Sequence, residues 1–174
     1  MPGSAGAHDI GPTAPAKDIV RMWPPNPLCN PAGTFINFAT ATPFGTFPAR
    51  FCTYADTAAG GPPDNFRYEV NFGAFMGLGT VIATGAPVCL NVSLTNAWER
   101  DLIVTSSNTT VFQPNSTLFV ELVDSNGGSV PSQISGLPPD RFAVFLTPPG
   151  QTTCPGLPFS TNPVTSGSVG IHDF

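Results

Sequence analysis

The stretch FRYEVNFGAF, residues 66–75, constrains the fold more than any other part of the chain. Phe66, Tyr68, Val70 and Phe72 alternate with Arg67, Glu69, Asn71 and Gly73. That two-residue period belongs to a strand with one buried face, and a helix does not produce it. The same alternation recurs in PVCLNVSLT, where Val88, Leu90, Val92 and Leu94 share one face and Cys89, Asn91, Ser93 and Thr95 the other. Shorter segments, DIVRMW, TFINFATA, RFCTYA, GTVIATG, DLIVTS, TLFVELV, RFAVFLT and the terminal SVGI, bring the expected strands to about eight to ten. Clusters of Pro, Gly and Asn separate them at roughly the 8–12-residue spacing of sandwiches and barrels. DSNGG, residues 124–128, follows TLFVELV with the Asn-Gly pair of a tight turn. The predicted fold is all-β: a single β-sandwich of jelly-roll or Greek-key type at 18–174, few or no helices, and an extended N-terminal arm at 1–17.

One segment competes with this reading. FGAFMGLGTVIATGAPVCL, residues 72–90, carries no charge and sets Gly73 and Gly77 in GxxxG spacing, which borders on a membrane-spanning helix. Strict alternation on both flanks, four glycines and the lack of a Lys or Arg cluster favour two buried strands joined by a Gly-rich turn. No membrane contact is expected.

The surface is unusual. Charged residues are 10% of the chain against roughly 25% in ordinary soluble proteins, so Thr, Ser, Asn, Gly and Pro must supply most of it. Mixed charge discourages association, and a surface this poor in it is expected to be covered by neighbours or glycans. A net charge of -5, with six basic residues scattered singly, offers no footprint for a phosphate backbone and excludes direct nucleic-acid binding. The 14 phenylalanines give a packed core that disordered chains lack.

Catalytic and metal motifs are missing from the sequence. Cys29, Cys52, Cys89 and Cys154 match neither a CxxC motif nor a zinc site, and three disulfide pairings stay open beside four free thiols. SGSVG, residues 166–170, has Ser where a nucleophile elbow requires its first Gly. Asp56, Asp64, Asp124 and Asp140 sit in Gly- or Pro-rich corners and are read as turn residues. DSNGG opens like a calcium loop but supplies too few oxygens afterwards. Sequons stand at Asn91, Asn108 and Asn115. The first 17 residues lack the apolar region of a signal peptide. No cofactor is expected and the protein is not read as an enzyme.

The two histidines, His8 and His172, are each followed by aspartate, one pair near each terminus. Adjacent residues on an extended chain point to opposite sides, so neither pair orients itself as in a triad. Both are read as polar contacts where a tail meets a neighbour, sensitive to pH near the histidine pKa of about 6.5. Trp23, Phe44, Phe47 and Phe159, in or beside Pro-rich loops, are the expected inter-subunit contacts.

The Pro/Ala/Gly-rich arm, the Thr/Pro/Phe-rich loop ATATPFGTFPARF and the many short strands together resemble the small capsid, cement or decoration proteins of viruses and phages. That resemblance implies a non-enzymatic structural role in a virion assembled in the host cytoplasm. Its partners would be other copies of the chain, a major capsid-type protein, or both, in a homo-oligomer. The arm has one lysine where genome-contacting arms are basic, which implies a place on the outside or between capsomers. The alternative is an extracellular β-sandwich module that recognises a protein receptor or a glycan, the latter on a face lined by Trp23, Tyr54, Tyr68 and Trp98.

Overall fold

The computed structural model describes residues 19–23, 26–56, 64–93, 96–125, 139–156 and 161–172. The arm at 1–17, with His8, the glycines of DSNGG, and Phe159 lie outside the described residues, as do the side chains of Trp23 and His172. The fold is all-β. Its strands are β1 (Ile19–Trp23), β2 (Ile36–Thr42), β3 (Gly45–Asp56), β4 (Asn65–Asn71), β5 (Thr80–Ser93), β6 (Asn96–Ser106), β7 (Thr117–Val123), β8 (Arg141–Thr147), β9 (Asn162–Pro163) and β10 (Ser168–His172). Among the described residues, the helical structure is one 3-10 turn at Phe75–Gly77.

All ten strands form one antiparallel sheet in the order β10-β1-β3-β4-β5-β6-β7-β8-β9, with β2 also on β3. From β3 to β8 the chain is a meander, each strand pairing with the next. These pairings differ from the jelly-roll or Greek-key order expected above. From β2 to β9 each strand lies directly beside its predecessor, and the right-handed twist rolls one sheet into a nearly closed barrel. β1 and β2 lie end to end along one edge of β3, β2 facing Gly45–Phe51 and β1 facing Tyr54–Asp56.

Alternation decides what fills the interior. Phe66, Tyr68 and Val70 of β4, Leu118, Val120 and Leu122 of β7, and Phe51 of β3 point inward, as period two requires. Phe142 of β8 meets Phe38 at 4.4 Å and Phe51 at 5.0 Å between ring centroids, so opposite walls touch.

The apolar stretch at 72–90 is a turn followed by most of β5. No helix among the described residues is long and apolar enough to cross a membrane. GTVIATG and PVCLNVSLT join into one strand of 14 residues broken by irregularities at Thr84/Gly85 and Pro87/Cys89. At the first, Gly85 passes so close to β6 that an added Cβ would lie 1.9 Å from the Leu102 carbonyl oxygen. At the second, Val88 drops out of register and turns outward, 42% exposed, instead of sharing the inward face of Leu90 and Val92.

Candidate functional site

Four carboxylates lie in the interior or at its seams, two of them, Asp124 and Asp140, expected from the sequence as turn residues. Asp124 and Asp140 are one step beyond the paired ends of β7 and β8 and are fully buried. Asp140 accepts from the N–H of Ser125 at 2.9 Å and of Val169 at 2.7 Å, and Asp124 accepts from the N–H of Ile171 at 3.4 Å. Val169 and Ile171 turn these N–H groups away from β1, so the two carboxylates finish the edge of β10 that, among the described residues, no strand covers. Beside any role in their corners, these two aspartates thus accept bonds from a strand edge.

Glu99 and Asp101, two apart on β6, share its inward face and are also fully buried. Thr53 donates to Glu99 Oε1 at 2.6 Å across the interior. Glu99 Oε2 and both Asp101 oxygens accept from no N–H or hydroxyl. Burial, then the Glu99 charge and hydrogen bond, then Asp64, hold the Asp101 carboxyl well above the usual carboxylate range. Burial also raises Glu99, with the hydrogen bonds of Asp101 and Thr53 opposing it. Both carboxyls are thus raised, and the pair shares a proton between its two members. The pair is sealed from solvent, so it holds a proton but presents no surface to a substrate. Among the described residues, no three His, Cys, Asp or Glu side chains are grouped to hold a metal ion.

The outer face of β6 is covered by residues 148–156. Cys154 is bridged to Cys89, Arg100 donates to the Thr153 carbonyl at 2.7 Å, and Asn91 donates to the Cys154 carbonyl at 3.0 Å. Cys29 is bridged to Cys52, so of the three pairings the sequence allows, this one forms. The Asn91 sequon is held in this cover, whereas Asn115 is exposed. Tyr54, Tyr68 and Trp98 are buried, which removes three of the four rings from the expected sugar-stacking face.

What remains for recognition is an apolar tip where two turns meet. The Pro-rich loop read as a docking segment is the β2–β3 hairpin, its turn at Pro43 and Phe44. The second turn, residues 72–79, is tied by bonds from the Phe72 N–H to the Gly79 carbonyl and from the Gly79 N–H to the Gly73 carbonyl, both 2.9 Å. Rings climb from core to surface: Phe72 meets Phe47 at 4.8 Å, Phe47 meets Phe75 at 5.6 Å, and Phe75 meets Phe44 at 5.5 Å. Phe47 is therefore a support within its own chain, while Phe44 is 60% exposed. Beside it Met76 is 73% exposed and held at φ 51, a left-handed conformation that a side chain adopts at a cost. No charged residue occurs in 72–79 or 36–49.

The structure brings Phe44 and Phe47 to one tip, while His8 and Phe159 lie outside the described residues. Trp23 and His172 stand at opposite ends of the β1–β10 pairing, Trp23 beside Ser168 and His172 beside Ile19. Sequence reasoning missed Met76 and Phe75 because the uncharged run around them looked like core; three glycines at 73, 77 and 79, all at positive φ, were the sign of an exposed turn. It also missed the inward acids of β6, whose sign was the run Glu99-Arg100-Asp101 directly before an apolar strand segment. No family model matches the chain, and no curated protein or solved structure matches it either.

Proposed function

We propose that the protein is a non-enzymatic structural subunit of a virion or similar large assembly, a capsid, cement or decoration protein acting through loop and arm contacts. The observation that carries this reading is the uncharged tip. Phe44 and Met76 stand out of the fold on a hydrogen-bonded base, and Met76 does so in a backbone conformation that glycine would adopt more cheaply. Apolar knobs held rigid in this way suit burial in a neighbouring subunit. In this role the rolled sheet acts as a flattened β-sandwich of two layers. The contact of Phe51 with Phe142 across the interior supports two facing layers, with a meander's strand order.

Sedimentation of the purified chain over a range of concentrations tests the proposal. The expected result is reversible self-association that the double substitution Phe44→Ser with Met76→Gly weakens, while folding is kept because neither side chain is buried. A monomer at every concentration, with an arm that resists protease, overturns it.

A second reading, an exported module that binds a receptor, is favoured by both cysteine pairs being bridged, since such bridges persist in oxidising compartments. Burial of Tyr54, Tyr68 and Trp98 turns that reading toward a protein receptor rather than a glycan. A glycan carried on Asn115 after secretion, on a chain that stays monomeric, would favour it over the first.

A further inference from the structure

The outer face of the barrel carries a cluster with a positive charge to spare. Period two sends Arg67, Glu69 and Asn71 of β4 outward, because Phe66, Tyr68 and Val70 of the same strand fill the interior. The register sets Arg50 of β3 beside Glu69, and Asn37 of β2 beside Arg50. Glu69 Oε1 accepts from Arg50 Nε at 2.9 Å and Oε2 accepts from Arg50 Nη2 at 3.0 Å, while Arg67 Nε donates to the same Oε2. Two guanidinium groups thus share one carboxylate, which leaves the cluster cationic in a chain of net charge -5.

Arg50 is engaged on one edge only. A guanidinium carries five N–H donors, which form a side fork of Nε with one Nη and an end fork of the two Nη groups together. Glu69 fills the side fork. The Phe35 ring centroid lies 3.9 Å from the guanidinium carbon, so the ring covers a face of the plane and leaves its edges alone. Among the described residues nothing accepts from the end fork, and the Arg50 side chain is 34% exposed. Arg50 and Glu69 line a cavity of about 230 Å³ together with Asn37, Pro48, Asn71 and Thr80. That is less than the roughly 300 Å³ at which pockets for drug-sized ligands begin, so it seats one ring or short chain. The rim has hydrogen bonds to give. Asn71 uses its carbonyl oxygen on the Gly73 N–H at 2.9 Å, which leaves its NH₂ group to donate. Asn37 donates one N–H to Ser166 Oγ at 2.9 Å and keeps its carbonyl oxygen as an acceptor. Thr80, paired with Asn71, adds an exposed hydroxyl. A hydroxyl group both donates and accepts, so a ligand that carries hydroxyls is met on each side of the rim.

We propose that this cavity binds a small hydroxylated carboxylate, an acidic sugar or a free hydroxy acid, with the carboxylate on the end fork of Arg50 and the hydroxyls on Asn37, Asn71 and Thr80. The two oxygens of a carboxylate match the two parallel N–H groups of the fork, and the spare positive charge favours an anion over a neutral ligand. Glu69 is a positioning residue here. It fixes the guanidinium through the side fork, and because Arg67 also binds it, it does so without cancelling the charge of the cluster. Recognition of this kind rests on charge and hydrogen bonds and needs none of the buried rings of Tyr54, Tyr68 and Trp98. The cavity shares no lining residue with the apolar tip, so the proposal stands whether or not the chain assembles.

NMR titration of the full chain tests this, read on the side-chain amide signals of Asn37 and Asn71. The probes are glucuronate, lactate, acetate and glucose. Glucuronate or lactate should shift both signals to saturation with at least roughly tenfold higher affinity than acetate or glucose, and the tighter of the two acids identifies the source. Arg50→Lys keeps the charge but has no end fork, so it should weaken binding roughly tenfold. Thr80→Glu sets a like charge on the rim at an exposed position and should weaken it at least as much, which keeps the test sound if Arg50→Lys disturbs the Glu69 pair. No shift with either acid overturns the proposal. Acetate binding equally well overturns the part of the hydroxyls, glucose binding equally well overturns the part of the carboxylate, and binding that survives both variants overturns the site.

Discussion

Two pairs of carboxylates are buried in this barrel, and they are held in opposite ways. Asp124 and Asp140 face backbone N–H groups that no strand covers, three of them within 3.4 Å. Glu99 and Asp101 face each other, and Thr53 is the donor that reaches them. The same chemical group therefore serves one region as a seal and the other as a proton store. Burying a carboxylate is costly in both places, and the supply of donors decides how the cost is met: by charge-assisted hydrogen bonds at the seam, by keeping a proton in the interior. The seal also explains why β10 can end a sheet without a partner strand. Two of the N–H groups on its free edge are closed by side chains.

The seam pair should be the more expensive to break. In Asp140→Ala the N–H groups of Ser125 and Val169 both lose their acceptor, one of them in the buried interior. A loss of about 3 kcal/mol is expected from two charge-assisted bonds, one leaving a buried donor unmet. Asp140→Asn, which keeps one acceptor oxygen, should lose about half as much. Urea denaturation monitored by tryptophan fluorescence measures both; a loss under about 1 kcal/mol for the alanine variant would put Asp140 among ordinary turn residues.

That contrast also marks how far the sequence could be read. Strand positions were most legible where alternation was clean, as in β4, because burial of one face leaves its period in the residue types. β6 was read from Asp101 onward although it begins at Asn96, since Glu99-Arg100-Asp101 broke the apolar pattern while all three side chains were buried. Arg100 is covered by residues 148–156, a segment brought there by a disulfide across 65 residues. No local pattern carries such information. The bonds of the aspartates at 124 and 140 to β10 were missed for the same reason, as these partners lie 47 and 29 residues away. Of the candidate site, Phe44 was legible from its Pro-rich turn. Met76 was not, because an uncharged glycine-containing run describes a core strand and an exposed apolar turn equally well until strands are paired.

The interior pair offers the next test, through pH. Both folded-state pKa values are raised, so the native protein binds more protons than the unfolded chain. Stability from this pair is fully present below the unfolded carboxylate values of about 4 and declines as pH rises toward the folded ones. Glu69 acts in the opposite sense: burial raises it, but Arg50 and Arg67 outweigh this and lower it, which adds stability as pH rises. The difference between native protein and Asp101→Asn removes that contribution. Asparagine donates an N–H to Glu99 without needing a proton, so the variant should gain about 1–2 kcal/mol on the native protein between pH 4 and pH 7. Thermal melts at the two pH values decide it, and a gap that stays constant or reverses would mean that the pair holds no proton.

Thr53 gives the smallest and most specific change. Its hydroxyl spans the interior from β3 to Glu99 on β6, and valine has nearly its shape. Thr53→Val removes the donor and leaves the packing, so about 1 kcal/mol should be lost. The sign of the pH effect is more telling than that size. The Thr53 hydrogen bond lowers the Glu99 pKa against burial, so without it the folded value rises further and the decline in stability extends to higher pH. In Asp101→Asn the same substitution should cost more, because Glu99 then carries a full negative charge with one of its two donors gone. A double-mutant cycle between Thr53 and Asp101, read at neutral pH, measures that difference. Additive losses would mean that the hydroxyl and the shared proton act independently, and that Glu99 is held as the seam aspartates are, by each donor separately.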